Sequence, residues 1–208
     1  LDHDRFGLVA VRHRFDRSDV PVGSDEVFGD HRLNPGLANH VRGAAQRHAA
    51  VLIGLVDRGQ GVHVLLTKRT EKLRQHAGQI AFPGGAVDAE DGSVERAALR
   101  EADEEIGLDP QQARIIGRFP DYLSGSGFRI APVLAEIDPG FLARANPDEV
   151  DAVFEVPWAF LMDPANHLRD SREFRGAERH FYRMPYGERM IWGVTAGIIR
   201  MAYERLYA

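Results

Sequence analysis

A chain of 208 residues, 44% hydrophobic and 27% charged, can bury one substantial core and is short for two. Its formal net charge of −5 argues against a nucleic-acid backbone as partner, although a bound cation would let a local site accept an anionic small molecule. There is no cysteine, so thiol catalysis, thiolate metal sites and disulfides are excluded, and a cytoplasmic location is expected.

Residues 1–45 are polar, with scattered Gly, Pro and His and with arginines gathered between Arg12 and Arg17 and between Arg32 and Arg47. They read as an N-terminal arm packing on a core of residues 46–208, with a short helix from Leu37 to His48, and the arm permits a homodimer. Leu1 to Phe6 carries no signal-peptide core and no initiator Met, so a trimmed chain is expected. No apolar run approaches ~18 residues, so no membrane span is expected.

Ala49 to Val56 is a continuous apolar run of the kind that forms a buried strand. Asp57 to Gly61 supplies turn chemistry, and Val62 to Thr67 forms the second arm of a hairpin. Lys68, Arg69, Lys72, Arg74 and His76 follow as a cationic segment, suited to phosphate oxygens or simply solvated. Phe82, Pro83, Gly84 and Gly85 then make a rigid and next a permissive backbone, which lets a carbonyl or a substrate come close.

The stretch from Val94 to Ile106 lacks Gly and Pro and predicts a helix, with Ser93 as N-cap and Gly107 as stop. Leu99, Ala102 and Ile106, with Ala98 beside them, predict the face that packs on a sheet. Glu101, Glu104 and Glu105 stand at i, i+3 and i+4, where they form one carboxylate face away from that stripe. Arg100, four residues before Glu104, offsets part of their repulsion. Such a face is either solvated or a seat for a hard divalent cation, which takes oxygen ligands and shares them with phosphates.

Strands are predicted at Ala113 to Phe119 and Phe128 to Ile137, joined by a flexible small-residue loop over 121–127. In the next segment Val150, Val153 and Val156 are core residues, and Glu149 is either a surface acid or a further site carboxylate. A short helix from Trp158 to Met162, a polar excursion over 163–179, a hairpin from His180 to Trp192 and a helix from Gly193 to Tyr207 complete the chain. Tyr182 and Trp192 fill the core or flank a base.

Gly85 to Leu108 resembles the Nudix box, G-x5-E-x7-R-E-U-x-E-E-x-G-U with U aliphatic. Arg100, Glu101, Ala102, Glu104, Glu105, Gly107 and Leu108 match its second half. The first half is one residue longer, so the box's first acid falls on Asp91 counted forward and on Gly92 counted back from Arg100. Leu66, Thr67, Arg69, Arg74, Gly78, Phe82, Pro83, Gly84 and Gly85 are similar to the second signature of the coenzyme A pyrophosphatase branch, with Thr70 where Ser or Ala is usual. Trp192 to Ala196 is similar to a W-G-x-T-A element of that branch.

The resemblance implies one α/β domain, a mixed sheet sandwiched between helices, and hydrolysis of a diphosphate bond in coenzyme A or a derivative. It implies Mg²⁺ or Mn²⁺ on Glu101 and Glu105 with help from Glu104, and Arg100 orienting a carboxylate. It also implies a further carboxylate from outside the box, as metal ligand or general base, a part open to Glu149; Glu104 is the other base. Arg69, Arg74, Gly84 and Gly85 are expected at the substrate. Neither nucleic acid nor membrane is expected as partner. Other nucleoside diphosphate derivatives, such as ADP-ribose or a nucleoside triphosphate, and a non-catalytic nucleotide-binding module are the alternatives.

Overall fold

A computed structural model describes residues 3–18, 28–37, 47–72, 77–174 and 176–208. Its organising strand is β2 (Arg47–Asp57), the apolar run anticipated above. Strand side chains alternate between faces, and here both faces are covered. Ala49, Ile53 and Leu55 point into one apolar layer, while Ala50, Leu52 and Val56 point into the other.

Antiparallel β3 (Val62–Arg69) returns alongside β2, and β8 (Phe128–Ile137) runs parallel to it over Arg47–Val56. Short β5 (Gly84–Ala86) adds antiparallel to residues 49–51, and β4 (Ile80–Ala81) adds to β3. Strands β6 (Ala113–Arg118) and β7 (Tyr122–Leu123) pair with β8, β9 (Val150–Pro157) pairs with β3, and β1 (Phe28–Gly29) runs parallel to β7. Among the described residues the main sheet has nine strands. A second, three-stranded sheet holds β10 (Leu168–Phe174), β11 (Ala177–Tyr186) and β12 (Arg189–Trp192).

Helices close the two layers. After a helical turn at His3–Phe6, named α1, come α2 (Leu8–Arg17), α3 (Val94–Ile106), α4 (Trp158–Leu161) and α5 (Val194–Leu206). Ala97, Ala98, Ala102 and Ile106 of α3 are sealed against one face, and Ala196, Ile198, Ile199 and Met201 of α5 against the other. The result is the expected mixed sheet between helices.

Several expectations need correction. The segment over 121–127 is no flexible loop: Tyr122, Leu123 and Ser124 are buried, the Tyr122 hydroxyl donates to Asp30 at 2.7 Å, and the Gly125 amide donates to the same carboxylate at 2.7 Å. The polar excursion over 163–179 contains a real strand, β10, which is solvated on both faces and so lacks the alternation that marks strands. The helix from Leu37 to His48 is not formed at its ends, since Leu37 closes a 3-10 turn and Arg47 opens β2; residues 38–46 lie outside the described residues. Helix α2 was not anticipated.

Candidate functional site

Ser93 opens α3 as expected, its hydroxyl accepting from the Arg96 amide at 3.2 Å, and Gly107 ends it in the left-handed region at φ 68°. One turn of the same helix then carries the acids Glu101 and Glu105. The sequence suggested that these face away from the packed stripe. Instead Glu105 sits among the buried residues, 1% exposed, beside Ala102 and Ile106, while Leu99 is only half-buried.

The cause is the neighbouring β5. Gly84 has φ 155°, and a β-carbon there would strike the Ala50 carbonyl and the Val51 backbone. A β-carbon on Gly85 would stand 2.5 Å from all three atoms of the Glu101 carboxyl group. Gly85 thus removes the side chain that would separate strand and helix, and the Glu101 carboxyl group fills that space, while Gly84 lets β5 lie close against β2.

Three groups hold Glu105 and Glu101 there. The Gly84 amide donates to Glu105 Oε2 at 3.2 Å, and Arg69 Nη1 lies 3.4 Å from Oε1. Arg100 Nη1 donates to Glu101 at 3.0 Å and to Glu104 at 3.2 Å. The other edge of that guanidinium is fixed by Asp91, through Nε at 2.8 Å and Nη2 at 3.0 Å, and Nη2 also donates to the Ala86 carbonyl at 3.0 Å. Asp91 is itself buried and caps a 3-10 turn reciprocally with Asp88. The extra residue of the box is absorbed at Gly92, whose φ of 70° needs a glycine. The acid that meets Arg100 is therefore the one reached by counting forward.

Electrostatics follow from this packing. Burial raises Glu105 from the ordinary 4.5 to about 7, against the pull of the Gly84 amide and Arg69 and with the push of Glu101 and Glu149. Burial raises Glu101 too, opposed by Arg100 and assisted by Glu104 and Glu149. Hydrogen bonding to Arg100 holds Asp91 below the usual carboxylate range and raises Arg100 further. Glu149, from outside the helix, is placed by its backbone: the Thr70 amide donates to its carbonyl at 2.9 Å, and the Asn146 amide donates to the Glu105 carbonyl at 2.9 Å.

Of the residues singled out by sequence, Arg69, Gly84, Gly85, Arg100, Glu101, Glu104, Glu105 and Glu149 thus gather in one region, with Glu104 at its exposed rim. Arg74 and His76 lie outside the described residues. Sequence reasoning missed Thr195, which is buried and donates to the Ile80 carbonyl at 3.0 Å, tying α5 to the strand just before the glycines. Its position inside the W-G-x-T-A element was the available signal. Tyr182 and Trp192 are half-buried, with Trp192 against Phe181 at 5.5 Å.

The donor set suits a hard divalent cation: carboxylate oxygens, one of them buried deeply enough to resist ionisation. As the side chains stand, no three acids or histidines converge at ligating spacing among the described residues, and arginines span the carboxylates instead. A cation entering this cluster would compete with Arg69 and Arg100 for the same oxygens.

The NUDIX domain model matches residues 46–184. Relatives named uncharacterized Nudix hydrolase NudL, from Shigella boydii serotype 4 and Escherichia coli O157:H7, are 46% identical over 169 residues, spanning 81% of this chain and 84% of theirs. The NUDIX domain of Shewanella oneidensis NrtR, solved with ADP ribose, superposes with a TM-score of 0.50 at 19% identity, over 78% of this chain and 90% of that one, and supports the fold alone. RenU, a Nudix hydrolase from M. smegmatis, is 26% identical over 56% of this chain and 74% of its own, with a TM-score of 0.47. On the domain match and the NudL relatives together, this chain belongs to the Nudix hydrolase family.

Proposed function

We propose that the protein hydrolyses the diphosphate linkage of coenzyme A or a derivative with Mg²⁺ or Mn²⁺, releasing a phosphopantetheine and adenosine 3′,5′-bisphosphate. The observation that carries this reading is the Arg69–Glu105 contact at 3.4 Å. It joins the motif similar to the coenzyme A branch with the carboxylates of the box, so that a cation-lined segment and an acidic cluster adjoin.

Glu101 and Glu105, with Glu104 at the rim, would hold the metal. When bound, the metal neutralises charge on the diphosphate and makes water more acidic. Arg100 is a positioning residue: fixed by Asp91, it sets the orientation of Glu101 and Glu104. Arg69, whose guanidinium reaches Glu105 through Nη1, would take a phosphate oxygen of the substrate. Arg74 is assigned the same task from sequence. Gly84 and Gly85 are assigned to the substrate from sequence, and the close approach of Gly85 to the Glu101 carboxyl group sets that contact beside the metal ligands. Glu104 or Glu149 accepts the proton of the attacking water.

A panel of coenzyme A, acyl-coenzyme A, ADP-ribose and nucleoside triphosphates, each with Mg²⁺ and with Mn²⁺, tests the substrate. Coenzyme A or its acyl form should have the highest kcat/KM, and faster turnover of ADP-ribose would overturn the choice. No turnover of any member would favour a binding module.

A further inference from the structure

Strand β10 lies at the edge of the second sheet, unpaired on its outer side among the described residues, and reads Leu168, Arg169, Asp170, Ser171, Arg172, Glu173, Phe174. It is exposed along almost its whole length, including Leu168 at 38% and Phe174 at 49%. Its charge order does not suit the strand it already pairs with. In the β11 register Arg172 stands opposite Arg179, and Glu173 opposite Glu178. Like charges directly opposite destabilise a sheet. Diagonal contacts, Arg183 to Asp170 at 2.8 Å and Ser171 to Glu178 at 2.6 Å, relieve only part of this.

The same order suits a second copy of itself. Laid antiparallel about Ser171, the strand pairs Leu168 with Phe174, Arg169 with Glu173, Asp170 with Arg172, and Ser171 with Ser171. Each position meets its complement, apolar on apolar, positive on negative, hydroxyl on hydroxyl. Because side chains alternate, the match holds on both faces of the sheet independently. We propose that β10 is a homodimer edge, joining two three-stranded sheets across a two-fold axis beside Ser171. Charged residues on an edge ordinarily guard it against pairing. That guard fails when the signs are arranged to attract an identical strand, which is the self-complementarity a two-fold interface requires. The Ser171 amide is held by the Asp170 carboxylate at 2.8 Å, and pairing releases it to the ladder as Asp170 turns to Arg172 of the second copy.

Sedimentation equilibrium of the full chain from about 1 to about 200 µM tests this, a range that brackets the weak affinity expected of a small interface. The wild type should dimerise. Glu173→Arg relieves the clash with Glu178 and so does not weaken the hairpin, but it sets Arg against Arg169 of the second copy. It should raise the dimer Kd at least ~10-fold, as should Arg169→Glu, and the double exchange should restore it to within ~3-fold. A wild type that stays monomeric, singles that leave the Kd unchanged, or a double variant that fails to recover would each overturn the proposal. Since the chain has no cysteine, Ser171→Cys reports register directly. It should form a disulfide dimer under mild oxidation, because paired Cα atoms stand within disulfide reach, and Arg169→Cys should not. Equal cross-linking of the two would reject the register.

Discussion

Glu105 is a carboxylate almost wholly removed from water, and among the described residues its charge is met by one amide and one arginine contact at 3.4 Å. Its folded pKa, about 7, lies above the ordinary 4.5, so between those values the native state binds a proton that the unfolded state does not. The associated stability is fully present below about pH 4.5 and is lost as pH rises through about 7. In metal-free buffer, urea midpoints should therefore fall across that window. Glu105→Gln should flatten the profile and stabilise the protein at pH 8 by on the order of 2 kcal/mol. The same substitution, like Glu101→Gln, should abolish turnover, and a variant that is more stable yet inactive separates the chemistry from the fold. Near-normal activity in either would defeat the metal assignment. Gly85→Ala offers a second test, because its β-carbon needs the space of the Glu101 carboxyl group. It should leave cooperative unfolding intact while kcat falls at least ~10²-fold, the scale expected when a catalytic group is displaced by about an ångström. These acids were legible because helical spacing put them together. Their burial was not, since it depends on which strand the glycines bring alongside.

At the level of elements, the site is set by how α5 and β2 grip the segment between β4 and β5. Pro83 accepts from the Leu52 amide at 2.8 Å, Ile80 from Thr195 at 3.0 Å, so both ends of the glycine bend are tied down. Thr195→Val removes the second tie and leaves a buried carbonyl unpaired, at a cost of about 1–2 kcal/mol. Its kcat should fall with the midpoint, whereas Thr195→Ser, which keeps the hydroxyl, should retain both. Gly197 on α5 is packed against the Tyr122 hydroxyl that serves Asp30. Gly197→Ala should overpack this contact and destabilise by about 1–3 kcal/mol, read as a drop in urea midpoint. Elements with both faces buried, such as β2, or with capped ends, such as α3, were readable from sequence. Strand β10 was not, because a strand wet on both faces has no hydrophobic period to read.

Across the whole molecule, the sheet separates two apolar layers, and the carboxylates belong to only one of them. Helix α3 closes that layer, while α2, β1 and α5 close the opposite one. Helix α2 escaped the sequence reading because Val11 is its only fully buried residue and Val9 is 80% exposed, so its apolar stripe is thin. Its hold on the core is nonetheless specific: Phe15 meets Phe119 edge-on at 5.2 Å, Arg14 donates to the Leu206 carbonyl at 3.2 Å, and Arg12 pairs with Glu136. If residues 1–45 are an arm, as we propose, weakening α2 should cost stability and leave the chemistry alone. Val11→Ala removes two buried methyl groups and leaves a small cavity, a loss of about 2 kcal/mol. The urea midpoint should drop accordingly, while kcat and KM, measured well below the transition, stay at wild-type values. Because the lesion lies across the sheet from Glu101 and Glu105, a parallel fall in kcat would mean that the two layers are mechanically coupled, and the arm would then have to be counted as part of the site.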